Sequence, residues 1–315
     1  MNQRIAVLVP CYNEELTVTK VVTDFRKALP EADIYVYNNN STDRTRELAV
    51  AAGAIVRDEY AQGKGNVVRS MFNDIDADVY VMVDGDDTYP AEDVHRLIQP
   101  VLEGRADMVI GDRLSNGTYA KENKRGFHNF GNNLVRTLIN TLFHAHINDI
   151  MTGYRAFSKA YVKSMPVLSD GFQIETEMTV FSLVYNMKIV ELPIIYRDRP
   201  EGSFSKLNTF KDGFRVLLTI FNLLKDQRPL LFFSTLALIC LLLGLAIATP
   251  QIHSFISQGS FANLRLAIFG FSMYLLCMLC VVIGIVLDAI KNQTKFLFMC
   301  HLNDIKAEIS KQKEK

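Results

Sequence analysis

Pro229 to Thr249 contains no charged residue and is long enough to cross a lipid bilayer. Leu266 to Leu287 is a second run of the same kind. Backbone amides in hydrocarbon must be satisfied within their own segment, so each run is expected to be a helix. Residues 229–290 therefore read as a two-helix transmembrane anchor. Lys225 and Arg228 precede the first run, and Lys291 and Lys295 follow the second. The connector Pro250–Arg265 carries one basic residue, Arg265. This asymmetry predicts cytoplasmic outer flanks and an outward-facing connector. Met1–Pro10 has one early Arg and a short apolar run, without a leader pattern. The expectation is a multi-pass protein of the cell inner or plasma membrane, with its polar domain in the cytoplasm.

That domain spans residues 1–208. Candidate strands are Ile5–Val9, Ile34–Tyr37, Ala54–Arg57, Val79–Val83 and Met108–Ile110, with helical patterns at Glu14–Leu29, Asp43–Ala52, Lys64–Asn73 and Ala91–Leu102. Such alternation predicts an α/β fold with a mostly parallel sheet, whose ligands bind at the carboxyl ends of the strands. Residues 209–228 form a linking segment. Within it, Phe210–Asp226 places Phe210, Phe214, Leu217, Leu218, Phe221 and Leu224 at helical spacing, and reads as an interfacial helix. The tail, 291–315, is polar and expected to be helical and cytoplasmic. The 34 basic and 34 acidic residues balance, so global charge gives no reason to invoke nucleic acid. The five cysteines fit no disulfide or metal spacing; Cys277 and Cys280 sit inside an apolar run.

The densest chemistry is Val83-Asp84-Gly85-Asp86-Asp87, three carboxylates at the end of an apolar strand. Close like charges are costly unless a cation joins them. Hard oxygen ligands suit Mg²⁺ or Mn²⁺ with a phosphate as co-ligand, although Asp and Gly also make ordinary turns. The first strand ends in Pro10-Cys11-Tyr12-Asn13-Glu14, and the second in Asn38-Asn39-Asn40-Ser41-Thr42-Asp43. Both could be helix caps, yet three polar strand ends side by side also make a nucleotide pocket. Gln62-Gly63-Lys64-Gly65-Asn66 sets a glycine-flanked lysine at a helix start, similar to a phosphate-binding turn but not the ATPase pattern. Arg125, Asn129 and Asn133 fall on one helical face.

In this order and spacing, P-x-Y-N-E, N-N-S-T-D-x-T, G-K-G-N and V-D-G-D-D resemble a family-two glycosyltransferase with a GT-A fold. Gly111-Asp112-Arg113, Asp149-x-x-Thr152-Gly153-Tyr154-Arg155 and Arg197-x-Arg199-x-x-Gly202-Ser203-x-Ser205-Lys206 resemble the polyisoprenyl-phosphate branch, relatives of dolichyl-phosphate mannose synthase. The chain departs from the family in carrying Asn38-Asn39-Asn40 where two acidic residues are common, and Thr88 where some relatives have Gln. The resemblance implies a hexosyltransferase using Mg²⁺ or Mn²⁺, a nucleotide-sugar donor and a polyisoprenyl-phosphate acceptor in a membrane. It is compatible with a homo-oligomer. It assigns Pro10, Tyr12, Asn13, Glu14, Asn39, Asp43, Lys64, Asp84 and Asp86 to the donor, with Asp84 and Asp86 on the metal. It assigns Arg113, Arg125, Asn129, Arg197, Arg199, Ser203 and Lys206 to the acceptor. Asp86, Asp87 and Asp149 are its catalytic carboxylates. A UDP-sugar, with glucose or N-acetylglucosamine, is the favoured donor. Two other readings stay open: transfer to a hydroxyl of a glycan or lipid, and an inactive nucleotide-sugar-binding scaffold.

Overall fold

β1 (Ile5–Cys11) reads Ile-Ala-Val-Leu-Val-Pro-Cys, apolar on both faces, and is buried along almost its whole length. A strand of this kind needs neighbours on both edges and cover on both sides. It pairs in parallel with β2 (Asp33–Asn38) on one edge and with β4 (Val79–Met82) on the other. The computed structural model describes residues 3–115, 117, 126–200, 218, 221–222 and 224–313. Within these the sheet has seven strands in the order β3-β2-β1-β4-β6-β5-β7, adding β3 (Ile55–Asp58), β5 (Met108–Asp112), β6 (Arg155–Ser158) and β7 (Ile189–Pro193). β6 runs antiparallel between β4 and β5, and the other pairings are parallel. The mostly parallel α/β domain expected from the sequence is present, with two short strands, β6 and β7, that its apolar runs did not mark.

The strand order reverses direction between β1 and β4. Their pairing stops at Leu8–Met82, while β1 stays paired to β2 as far as Cys11–Asn38. Beyond Leu8 the two strands lead into separate loops, and a crevice at such a switch point is where α/β sheets bind ligands. Pro10, which has no amide to donate, falls where only β2 remains alongside.

Helices α1 (Val18–Ala28), α2 (Thr45–Ala51), α3 (Lys64–Asp74) and α4 (Val94–Leu102) connect these strands. α1 buries Val18, Val21, Val22 and Phe25, one face at helical spacing. It starts four residues after Glu14. Asn13 has φ 53°, and the Glu14 amide donates to the Thr45 hydroxyl at 2.8 Å, so residues 13–17 form a loop over the crevice. α5 (Gly126–Phe143), α6 (Lys159–Ser164) and α7 (Ile174–Val184) complete the domain.

The loop entering β6 is fastened from inside. Arg155 is fully buried and donates to the carbonyls of Thr152 at 3.0 Å and Ile150 at 2.5 Å, and to the Thr179 hydroxyl at 3.0 Å. Burial pulls its pKa below the usual arginine value. One side chain thus sets the path of residues 149–153.

The chain divides into two units, residues 1–218 with 300–315, and residues 219–299. Two helices are long and apolar enough to cross a membrane, α8 (Pro229–Gln258) and α9 (Leu264–Lys313). They leave Leu238, Ile239, Leu242, Phe269, Leu275 and Val282 exposed, as a lipid-facing pair would. α8 continues through Pro250 and ends at Gly259, whose φ of 73° turns the chain. The connector is therefore shorter than the Pro250–Arg265 span expected from composition. Most of Phe210–Asp226 lies outside the described residues.

Arg155→Met is expected to strand several buried acceptors and cost about 2–4 kcal/mol. Thermal unfolding followed by circular dichroism checks this; an unchanged Tm would contradict the fastening role.

Candidate active site

Asp84 to Asp87 leave the end of β4 where it parts from β1. Each carboxylate meets a cation. Asp84 Oδ1 lies 2.5 Å from Lys64 Nζ, Asp86 Oδ2 lies 2.5 Å from an Arg199 guanidinium nitrogen, and Asp87 Oδ1 lies 2.8 Å from Lys20 Nζ. Asp86 is 3 % exposed, and its other oxygen accepts from the Thr88 hydroxyl at 2.6 Å. Asp87 has φ 59°, a left-handed conformation that Asp tolerates better than most residues.

Lys64 reaches this motif from the first residue of α3. Its ammonium sits between Asp84 and Glu175 of α7, at 2.5 Å from each. Burial disfavours the charge, but the two carboxylates outweigh it and hold the pKa above the ordinary lysine value. The backbone beside it is tightly packed. The Gly65 amide donates to the Asp170 carbonyl at 2.9 Å, and a Cβ on Gly65 would come within 2.0 Å of the Ser169 carbonyl oxygen. The Asn66 amide also reaches that Asp170 carbonyl, at 3.4 Å. The Gly65 and Asn66 amides at the start of α3 are thus occupied by protein, and the charged group of this turn is the Lys64 ammonium.

Arg113, following β5, forms a two-pronged ion pair with Asp149. Nε is 2.7 Å from Oδ2, a second guanidinium nitrogen is 2.9 Å from Oδ1, and both residues are buried. The Arg113 guanidinium also lies 5.7 Å from the centre of the Tyr196 ring. Tyr196 belongs to a segment running back over the acidic motif. There the Ile195 amide donates to Asp93 at 2.9 Å, the Arg197 amide to the Thr88 carbonyl at 3.0 Å, and the Arg197 side chain to Glu92 at 3.2 Å. These contacts carry Arg199 to Asp86.

A scan of family descriptions matches residues 6–165 to "Glycosyl transferase family 2". The chain belongs to that family. Among curated relatives, the glycosyltransferase AglJ of Haloferax volcanii is 36% identical over 248 residues, covering 78% of this chain and 80% of its own. A dolichyl-phosphate hexose transferase of the same organism is 29% identical over 224 residues, covering 71% of this chain and 95% of its own. Among solved structures, glucosyl-3-phosphoglycerate synthase from Mycobacterium tuberculosis, in complex with Mn²⁺, UDP and glucosyl-3-phosphoglycerate, superposes with TM-score 0.57 at 22% identity, covering 70% of this chain and 80% of its own. The fold is GT-A-like, and the chain is a glycosyltransferase.

The glycosyltransferase crevice gathers many of the residues its sequence singled out, in different states. Tyr12 is exposed at the end of β1, where a ring can stack on a base. The Asn13 side-chain oxygen holds the Thr42 amide at 2.8 Å. Asn39 is fully engaged by protein: it donates to the Glu59 and Ala61 carbonyls and accepts from Gln62 and the Gly63 amide. It shapes the approach to Lys64. Asp43 accepts from the Glu15 amide and from Thr45; burial alone would raise its pKa, but these hydrogen bonds bring it below the usual carboxylate range. Asp149 gives both oxygens to Arg113. Arg125, Ser203, Lys206 and the Asn129 side chain lie outside the described residues, and Asn133 is exposed.

Three residues of the site went unread in the sequence. Glu175 looks like an acidic residue in a first helical turn, and Lys20 like a solvated face of α1. Tyr89 is the third; its hydroxyl accepts from the Gly153 amide at 3.1 Å, and burial pushes its pKa up to about 12. Arg155 stands in the sequence only as part of a motif, and its buried fastening role shows in the fold.

The donor set fits a divalent cation. Asp84 and Asp86 are hard carboxylates on either side of one glycine, and Asp86 is already paired with a cationic group, Arg199. Among the described residues no three His, Cys, Asp or Glu side chains converge as a closed metal cage. One or two carboxylates, completed by substrate phosphates and water, is the usual arrangement for Mg²⁺.

Asp84 rests against Gly153, where a Cβ would fall 2.3 Å from its Oδ2. Gly153→Ala must therefore displace this carboxylate. The expected result is a loss of kcat/KM on the order of 100-fold, since such shifts of about 1 Å carry that cost. Steady-state transfer assays with thermal melting check it; full activity would mean that Asp84 has no fixed role.

Proposed function

We propose that this glycosyltransferase moves a hexose from a nucleotide-sugar, with a UDP-sugar favoured, to a polyisoprenyl phosphate at the cytoplasmic face of a membrane, with inversion at the anomeric carbon. One observation carries the reading. Asp84, Asp86, Asp87, Asp149 and Glu175 are each ion-paired at 2.5–2.8 Å to Lys64, Arg199, Lys20 or Arg113. A hydroxyl acceptor needs a base to take its proton. A phosphate monoester has a second pKa of about 6 and is largely dianionic near neutrality, so it attacks without one. A crevice in which these five carboxylates are held by cations suits the second acceptor.

The names of relatives support the same choice, since one is a dolichyl-phosphate hexose transferase. The two apolar helices would keep the enzyme beside a lipid-linked substrate. Loss of function with retention of the fold is disfavoured by the ordered set of Lys64, Asp84, Asp86 and Arg113.

In this mechanism Tyr12 stacks on the base, and Lys64 lies at the donor diphosphate. Asp84 and Asp86 would hold Mg²⁺ or Mn²⁺, which when bound supplies charge stabilisation to the departing nucleotide. Arg113, held by Asp149, and Arg199, held by Asp86, would offer their remaining guanidinium N–H groups to the acceptor phosphate. Asp149 orients Arg113 and keeps its charge in place. The sugar passes through an oxocarbenium-like state with the phosphate oxygen entering opposite the leaving group. Arg197, Ser203 and Lys206, together with Arg125 and Asn129, are assigned to the acceptor in this reading.

The test is a donor screen with the full chain, polyprenyl phosphate and Mn²⁺, read by mass spectrometry of the lipid. A glycosylated polyprenyl phosphate is expected, and Asp86→Ala should lower turnover about a thousandfold or more while melting normally. Absence of any glycosylated lipid across UDP- and GDP-sugars would contradict the proposal. Membrane orientation is checked separately. A cysteine introduced at Gln258 should label in intact cells with a membrane-impermeant reagent; labelling only after permeabilisation would reverse the topology.

A further inference from the structure

Glu175 is 5 % exposed, lies in the first turn of α7, and points its carboxylate at Lys64 across 111 residues of sequence. The other acidic residue of that turn, Glu177, does local work, accepting from the Leu168 and Ser169 amides at 2.8 Å each. Glu175 has no such task. Its Oε1 and Asp84 Oδ1 stand at 2.5 Å on the same ammonium. Burying charged groups is costly unless each has a partner, and here two carboxylates share one ammonium.

Asp84 and Lys64 alone would sum to zero, and a neutral pair is a poor receptor for a divalent cation. With Glu175 the three groups sum to one negative charge. Lys64 is shared, and Asp84 keeps an excess that a cation can use. When Asp84 turns to a cation, Lys64 still has Glu175 to hold it in place beside the phosphates. Backbone N–H groups at the start of α3 cannot do this holding, because an ammonium needs acceptors, and Glu175 and Asp84 are the carboxylates that supply them.

We propose that Glu175 is a positioning residue of the donor site: it shares Lys64 with Asp84, so that Asp84 remains a metal ligand and Lys64 stays aimed at the donor diphosphate. This rests on the reading of Lys64 and Asp84 as donor-site residues. It assigns Glu175 no proton transfer and no contact with the sugar.

The test titrates Mn²⁺ alone into the detergent-solubilised full chain and follows free Mn²⁺ by electron paramagnetic resonance. Glu175→Gln removes one nearby negative charge and is expected to weaken Mn²⁺ binding on the order of tenfold. Combining it with Lys64→Met restores the net charge of the triad, and should return the affinity to within about threefold of wild type. Lys64→Met alone leaves both carboxylates and should bind Mn²⁺ more tightly than wild type. If Glu175→Gln does not fold, weaker binding by the double variant than by Lys64→Met alone reads the Glu175 charge, and equal binding by those two overturns the proposal. A residue that only supports the fold would give no recovery in the double variant. Equal binding by Glu175→Gln and wild type overturns the proposal, as does a double variant as weak as the single one or a Lys64→Met that binds no tighter. A wild-type enzyme that binds no Mn²⁺, with or without UDP, removes the donor-site reading and this inference with it.

Discussion

Opposite charges brought together at the ends of β1 and β4 are the constraint on which the site depends. Three carboxylates follow one strand within four residues, and their repulsion must be offset where water is scarce. The fold offsets it from three directions: Lys20 from α1, Lys64 from α3 and Arg199 from the segment after β7. Those partners are distant in sequence, so the motif can take this form only when the sheet is complete. Site assembly and folding are thereby linked.

The supporting layer is as specific as the charges. Arg155 gathers the carbonyls of Ile150 and Thr152, Tyr89 takes the Gly153 amide, and Gly153 offers a bare backbone to Asp84. Asp149 leaves the same loop and locks Arg113. A single short loop therefore sets both the Asp84 carboxylate and the Arg113 guanidinium. Such preorganisation is what electrostatic catalysis requires, because the groups need not reorganise as charge develops.

Much of this was legible from local sequence. The strand before Asp84 declares itself by the run Val79-Tyr80-Val81-Met82-Val83, α3 begins at Lys64 as its glycines suggest, and the two apolar runs become helices. The remainder depended on contacts that no window reveals. Glu175 and Lys64 meet over 111 positions, and Arg113 and Asp149 over 36. Asn39 reads as a ligand because an amide at a strand end is free in sequence; in the fold both its ends are consumed by residues 59–63. β6 escapes notice because four residues, Arg-Ala-Phe-Ser, carry no period, and its place is set by the buried arginine at its start. α8 outlasts its expected end because Pro250 is accommodated within the helix.

The central claim is that the crevice serves an acceptor that brings its own negative charge and needs no base. Polyprenyl phosphate and the matching polyprenol differ only in that group. The decisive measurement is kcat/KM for the two acceptors, with one donor and one metal, in the same detergent. The account predicts transfer to the phosphate and none detectable to the alcohol, with a rate that falls on acidification below about pH 6 as the dianion is lost. Comparable transfer to the alcohol would contradict it, and would require one of the paired carboxylates to act as a base.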